Sequence, residues 1–501
     1  MKGYITKEQL SDSLKNELSN FELQLDVNVT CFNSLQECHD YCLENNKNMF
    51  IPSGVYEINE PLVVKGVSIR GENSRNTIIK LNDCDGFILE EYDSNKVVEL
   101  SNLTFISVSA NRYDHYGIRF KEETDRRAIG YKLRNLYFEE LGCAISLTDC
   151  FRTGLSHINI NNCFRSLIIQ GQVVQLSAFD VISNCDLSDS ASSSIFNDKI
   201  GIEIKGDNHS GVYQRPESLK FNQVCMVHND INLRIHDGLY LDFHQCDLDL
   251  SRKECVRIYS YDSLNISNSW ISTKSETEEP IVRIETSTHE FKKMSILNNT
   301  ISVLMGGHPN KIGVSLGLTA DHYFKKGVNI SNNIIQSLTP IKLKYGIYAS
   351  RPRQLSITNN HIQECTDKDI HIEFIEGGDI ISNVCDNIYV LSNSPIPYKI
   401  SNNIGNVITD GTTVTIKDFT GMPSKIIKES AQNIESQHHV DITHNLNKNI
   451  SELDIKIFQA VDLDGTYKIS NSVSFKQIDK NTIRFTNNDT VTLGVYVIIT
   501  D

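Results

Sequence analysis

The chain holds one tryptophan, Trp270, and ten prolines among 501 residues. It contains no apolar run near the roughly 20 residues that a bilayer-spanning helix requires, so insertion in a membrane is not expected. Basic charge is scarce: 48 Lys and Arg stand against 63 Asp and Glu, a net charge of −15. A surface of that sign is not drawn to phosphate backbones or acidic headgroups, so nucleic acid is not expected as a partner. The 13 cysteines are odd in number and none lies in the close CxxC-type spacing of a zinc or redox motif, so reduced, structural thiols are expected. Met1-Lys2-Gly3-Tyr4 runs straight into Thr6-Lys7-Glu8-Gln9 without an apolar core; no export signal is expected, and with the reduced thiols synthesis in a cytoplasm is expected.

What the chain has in quantity is Asn, Ile and Ser in a repeating arrangement. From Asn46 to about residue 408, a six-residue unit recurs: apolar-x-Asn-apolar-x-apolar, the third position sometimes being another small or polar residue. It reads Leu100-Ser-Asn102-Leu103-Thr-Phe105, then Leu133-Arg-Asn135-Leu136-Tyr-Phe138, with later copies starting at Leu155, Leu176, Phe221, Phe243, Ile266, Ile296, Ile330, Ile357, Ile381 and Ile400. Such intervals mark a solenoid. Each unit is two short strands meeting at a tight bend, and a side-chain amide suits that bend. Asn102, Asn135, Asn268, Asn298, Asn332, Asn359 and Asn402 are expected to stack there as a ladder. A third strand per turn reads Ile118-Arg-Phe120, Ile145-Ser-Leu147, Ile202-Glu-Ile204, Leu233-Arg-Ile235, Val256-Arg-Ile258 and Val282-Arg-Ile284. Three strands per coil predict an all-β chain, a parallel β-helix. Ahead of it, Thr6-x-x-Gln9 with Leu10, Leu14 and Leu18 predicts a short amphipathic helix whose stripe needs a partner. Ser34-x-x-Glu37 predicts a second helix ending at Asn45-Asn46.

Phe32-Asn-Ser-Leu-Gln-Glu37, Phe50-Ile-Pro52-Ser-Gly54-Val-Tyr56-Glu-Ile58, Val67-Ser-Ile-Arg-Gly71 and Thr77-Ile-Ile79 resemble the opening of pectate-lyase-like β-helix proteins, bacteriophage tailspikes among them. The resemblance covers residues 30 to 408 and implies a right-handed parallel β-helix. Residues 409–501 alternate in longer strands, and Val440-Asp-Ile-Thr-His444-Asn445-Leu446 is similar to a segment of C-terminal β-domains of phage fibres. Three divisions are expected: residues 1–25, an N-terminal helix that attaches to a phage tail or baseplate protein; 26–408, the β-helix; and 409–501, a β-sandwich-like trimerisation or carbohydrate-binding domain. The resemblance implies a homotrimeric tailspike in the virion, released by lysis, that binds and depolymerises a bacterial surface polysaccharide: capsule, O-antigen or teichoic-type polymer. A receptor-binding tail protein without activity and a bacterial pectate-lyase-like enzyme or epimerase are the alternatives.

Equivalent outward residues in adjacent coils stand about 4.8 Å apart, so candidate sites can be read as columns. The third strand gives Arg119, Ser146, Ile168, Glu203, Arg234, Arg257, Arg283, Ser315 and Tyr348; beside it run Lys205, His236, Tyr259 and Glu285, with Asp237 just beyond. Stacked arginines repel and need anions. One reading is a glycan groove with Arg234, Arg257 and Arg283 as donors and Tyr259 as a stacking platform; the other is an ion-pair ladder with Glu203 and Glu285. Polar insertions at 186–198 and 207–217 flank the strand, and loops beside a rigid scaffold commonly carry sites. Hydrolysis would use Glu203 and Asp237 as the carboxylate pair. β-Elimination would use His236 or Tyr259 as base and Arg234 or Arg257 to neutralise a uronate. A second cluster, Asp242, His244, Asp247 and Asp249 with Trp270, suits Ca²⁺ or catalytic carboxylates, with Asp180 assigned to the column of Asp247 two coils earlier. No other cofactor is expected.

Overall fold

The computed structural model describes residues 26–90, 96–120, 128–171, 181–188, 198–209, 212–285, 293–317, 327–363, 365–391 and 398–409, and eight further strands between Val414 and Thr500. Asp180, the expected helix bearing Leu10, Leu14 and Leu18, and the tail-attachment segment lie outside the described residues. Two compact units divide the chain, Met1–Thr273 and Lys274–Asp501. The sequence reading instead divided it at residue 409, where the architecture changes.

In the first unit, one α-helix, α1 (Leu35–Glu44), precedes the coils. Ser34 caps it, accepting from the Glu37 backbone N–H at 3.1 Å, while the Glu37 carboxylate reaches back to the Asn33 N–H at 3.0 Å. This reciprocal pair satisfies amides that a helix start leaves without partners. The helix ends at Asn45, and Asn46 takes a positive φ of 51°. Thereafter the strands are short and parallel. Leu241–His244 pairs with Ser263–Ser267, Asp247–Ser251 with Trp270–Thr273, and Ile231–Ile235 with Val256–Ile258, three strands to a coil. This is a parallel β-helix. Alternate apolar residues point inward and stack on their counterparts: Phe105 lies on Phe138 with centroids 5.1 Å apart, and Phe221 on Phe243 at 4.3 Å.

The second unit has the same parallel coils. Lys293–Leu297 pairs with Val328–Ser331, Thr300–Val303 with Ile334–Ser337, and Ile312–Leu316 with Tyr345–Ser350. Past Ile404–Thr409 the pairing turns antiparallel. The strands from Ile426 onward form a four-stranded and a three-stranded antiparallel sheet, in keeping with the longer alternating strands that the sequence shows there.

The repeated asparagines do a different job from the one expected. Asn102, Asn135 and Asn268 in the first unit, and Asn298, Asn332, Asn359 and Asn402 in the second, all have φ between 52° and 60°. Asn tolerates this left-handed conformation better than other residues with a Cβ, so these positions make the bend. The main ladder belongs to the next residue. In the second unit, Asn299 donates its backbone N–H and its Nδ2 to Asn333 Oδ1 at 2.9 and 3.1 Å. Asn333 does the same to Asn360, Asn360 to Asn383 and Asn383 to Asn403, all within 2.9–3.0 Å. The left-handed residue swings its successor into the interior, where carbonyls of the preceding coils need donors; Asn333 Nδ2 also reaches the Ile296 carbonyl at 2.8 Å. In the first unit the same interior position is filled by Leu103, Leu136, Cys185, Cys246 and Ser269, all buried. Of the expected ladder, Asn135 does bond Asn102, amide to amide at 2.7 Å. All 13 cysteines are free thiols, and 11 of them are buried, as reduced packing residues would be.

Candidate functional site

The outward column read from the sequence is present in the first unit. Arg119 pairs with Ser146, Ser146 with Ile168, Ile168 with Glu203, Glu203 with Arg234 and Arg234 with Arg257. In the second unit Arg283, Ser315 and Tyr348 pair in turn. The register follows from period-2 alternation, because a slip of one residue would turn the arginines into the core.

Glu203 is the centre of the first-unit cluster. Its side chain is only 5% exposed. Arg165 Nε donates to Oε2 at 3.3 Å and Lys205 Nζ lies 3.0 Å from the same oxygen. His236 Nε2 lies 3.0 Å from Oε1, and Arg234 Nη1 is 3.7 Å from it. Burial alone would raise the carboxyl's pKa; the His236 hydrogen bond and the charges of Lys205 and Arg165 outweigh it and hold the value at about 2. Glu203 is therefore ionised and can only accept, which puts the hydrogen on His236 Nε2 and leaves Nδ1 as the basic nitrogen of the neutral ring.

Each arginine has its own acid. Arg234 Nη2 donates to both oxygens of Asp198 at 3.0 and 3.1 Å. Arg257 lies 3.5 Å from the buried Glu254. In the second unit Arg283 pairs with Glu285 at 2.9 Å. The repulsion within the stack is thus met by carboxylates of the chain itself. Facing solvent is a layered group: His236 stacks on Tyr259 at 5.0 Å and 6°, and Arg257 lies 4.8 Å from the same ring. His236 is 39% exposed and Arg257 24%.

The geometry does not make Glu203 and Asp237 the carboxylate pair of a hydrolase. Asp237 is 1% exposed, accepts from the Gly238 N–H at 2.8 Å and lies 3.9 Å from Arg215. It holds its own turn, and Glu203 is occupied by the three cations Arg165, Lys205 and Arg234 and by His236. Of the two insertions, the second is built as a hairpin, with Asp207, Asn208 and His209 paired antiparallel to Gln214, Tyr213 and Val212.

The second cluster is split. Asp242 lies on Leu241–His244 and accepts from Asn265 at 2.7 Å; His244 bonds Ser267 at 3.1 Å. Asp247 and Asp249 belong to the next strand, and Asp249 receives Trp270 Nε1 at 2.9 Å and the Ser272 hydroxyl. Among the described residues no three His, Cys, Asp or Glu come together as metal ligands. The column through Asp247 runs Asn159, Asp186, Cys225, Asp247, Trp270. The place two coils before Asp247, assigned from sequence to Asp180, is held by Asp186. The pKa of Asp247 is raised, chiefly by burial and then by the charges of Asp249 and Asp186.

No family model and no curated protein sequence matches this chain. Solved structures do. A tailspike protein of E. coli bacteriophage HK620 aligns with TM-score 0.48 and 8% identity over 93% of this chain and 89% of that one. The likeness is one of fold. The Streptococcus pneumoniae surface protein and adhesin PfbA aligns at 0.46 and 10% over 77% and 97%, and the catalytic domain of a GH87 alpha-1,3-glucanase in complex with nigerose at 0.37 and 12% over 77% and 68%. The neighbours thus include a tailspike, the kind of protein that the sequence resembles, while values this low carry no argument about activity. No helix among the described residues is long and apolar enough to cross a membrane.

Proposed function

We propose that this chain is a phage tailspike that binds and depolymerises an acidic polysaccharide of the bacterial surface, working as a homotrimer and attached to the phage tail through residues 1–25. The observation that carries the reading is the His236–Glu203 couple beside Arg257 and Tyr259. A histidine fixed by a buried carboxylate on one nitrogen offers the other as a general base, as in catalytic dyads of other folds. On a uronate, His236 Nδ1 takes the proton next to the carboxylate, whose developing charge Arg257 balances. The electron pair forms the ring double bond and the glycosidic C–O bond breaks. The leaving oxygen takes a proton from the Tyr259 hydroxyl. Elimination therefore suits this cluster better than hydrolysis, for which it has no free acid among the described residues.

Hydrolysis has a separate candidate, favoured by one observation. Asp186 and Asp247 stand two coils apart in one column, about 9.6 Å at strand spacing, at the outer limit of the roughly 6.5–9.5 Å of an inverting pair. Asp247, with its raised pKa, would be the acid and Trp270 the neighbouring sugar platform.

One experiment separates these. Purified host polysaccharide is incubated with the full chain, and both ultraviolet absorbance of unsaturated uronate and new reducing ends are followed. Elimination predicts both signals, with loss on His236→Ala and turnover retained in Asp247→Asn. Reducing ends without absorbance, lost in Asp247→Asn, move the site to Asp186 and Asp247. Binding without either signal makes the chain a receptor-binding protein alone.

A further inference from the structure

The third-strand sheet of the second unit carries a column of rings that the elimination chemistry does not use. Tyr348 pairs with His371 and His371 with Tyr389 in successive coils. The centroids of Tyr348 and His371 are 5.5 Å apart, and those of His371 and Tyr389 4.9 Å. Tyr345 lies beside the column, 4.8 Å from His371 and 5.6 Å from Tyr348. Tyr348, His371 and Tyr389 are half-buried, on the outside of the coil. A contiguous outward aromatic face is costly to leave to water and marks an interaction site more often than a solvated surface does.

The polar groups around it are held in place. Glu373 accepts from the Tyr348 hydroxyl at 3.2 Å and lies 3.2 Å from His371 Nε2, one oxygen to each. Asp367 accepts from the Tyr345 hydroxyl at 2.9 Å. Burial, then the charge of Glu373, raises the pKa of Tyr348, so its phenol stays protonated. Lys344 lies 5.1 Å from the Tyr345 ring. Each carboxylate oxygen has further lone-pair capacity after accepting once.

We infer that the Tyr348–His371–Tyr389 column is a glycan-binding platform for uncharged sugar residues. Its C–H-accepting rings stack on pyranose faces, and Glu373 and Asp367 take the hydroxyls. Lys368 lies 3.9 Å from Asp367 and offsets its charge, so Glu373 sets the sign over Tyr348 and His371: a uronate would meet it in repulsion, whereas neutral hydroxyls donate to it. Three coils span about 10 Å at strand spacing, room for two sugar rings. The inference rests on the glycan-binding half of the proposed function and is independent of cleavage.

The test is binding of the full chain to an array of bacterial glycans that includes neutral and uronate-rich polymers. Tyr348→Leu and Tyr389→Leu keep apolar volume and remove the π face; Tyr348→Phe keeps the ring. Binding to at least one neutral glycan is expected, weakened about tenfold by either Leu variant, near 1.4 kcal/mol, and kept in Tyr348→Phe, with uronate cleavage unchanged in all three. Absence of neutral-glycan binding, or binding indifferent to both Leu substitutions in chains that melt like the parent, overturns the platform. Loss of uronate cleavage by His236→Ala, or its absence from the parent chain, bears on the elimination site alone.

Discussion

At the scale of the residue, Glu203 is the anchor of the cationic cluster and not its acid. With a folded pKa of about 2 against an ordinary 4.5, its ionised form is favoured by folding. The stability so gained is complete above pH 4.5 and is lost as pH falls through 4.5 towards 2. The shift corresponds to roughly 3 kcal/mol. Glu203→Gln is therefore expected to lower the urea-unfolding free energy by about 3–5 kcal/mol at pH 7, since Arg165, Lys205 and Arg234 lose their buried counter-ion. The difference from the parent should shrink as unfolding is repeated between pH 4.5 and pH 2; a gap that stays constant over that range would place the cost elsewhere. His236 should at the same time lose its fixed tautomer, so that turnover falls even in the folded fraction. Position was legible here and role was not. The column holding Glu203, Arg234 and Arg257 follows from alternation, but that Asp237 caps its own turn depends on the backbone amide of Gly238, which no pattern of side chains reveals.

At the scale of the element, the bend divides labour between adjacent residues. Asn332→Gly should be nearly neutral in unfolding free energy, since glycine accepts positive φ without cost. Asn333→Ala should lose about 2–3 kcal/mol, because the Ile296 carbonyl and the Asn299 amide are left buried without their partner; equal costs at the two positions would refute the division. Gly71 shows the same closeness from the other side: a Cβ there would stand 2.0 Å from the Asn102 carbonyl oxygen, so Gly71→Ala is expected to lower the melting temperature. The repeat made the bend visible because Asn is the commonest residue at its first position, with Gln223, Gln245, His157 and Ser382 as exceptions. The ladder at the second position was masked, because Leu, Cys, Ser and Asn all occupy it. Asp186 was missed for a related reason: an isolated bridge, not a regular strand, brings it into the column. The aromatic platform was within reach, since Ile370-His-Ile372 and Ile388-Tyr-Val390 continue the alternation that placed Tyr348.

At the scale of the whole molecule, the second unit presents an apolar stripe to the outside. Ile334 pairs with His361, His361 with Val384 and Val384 with Ile404, and the three aliphatic residues are 45%, 39% and 58% exposed. Covering by further copies of the chain fits the proposed trimer. Light scattering should give three times the 56.7 kDa of one chain, and Ile404→Asp should reduce it; a parent of monomer mass would remove the trimer from the proposal. The interior amide ladder bears on how such a chain changes length over generations. Its successive asparagines are separated by 34, 27, 23 and 20 residues, yet every link is the same bond. Whatever is inserted or trimmed between links leaves the stacking undisturbed, so the connecting segments are free to change in length and shape while the spine beneath them is inherited intact.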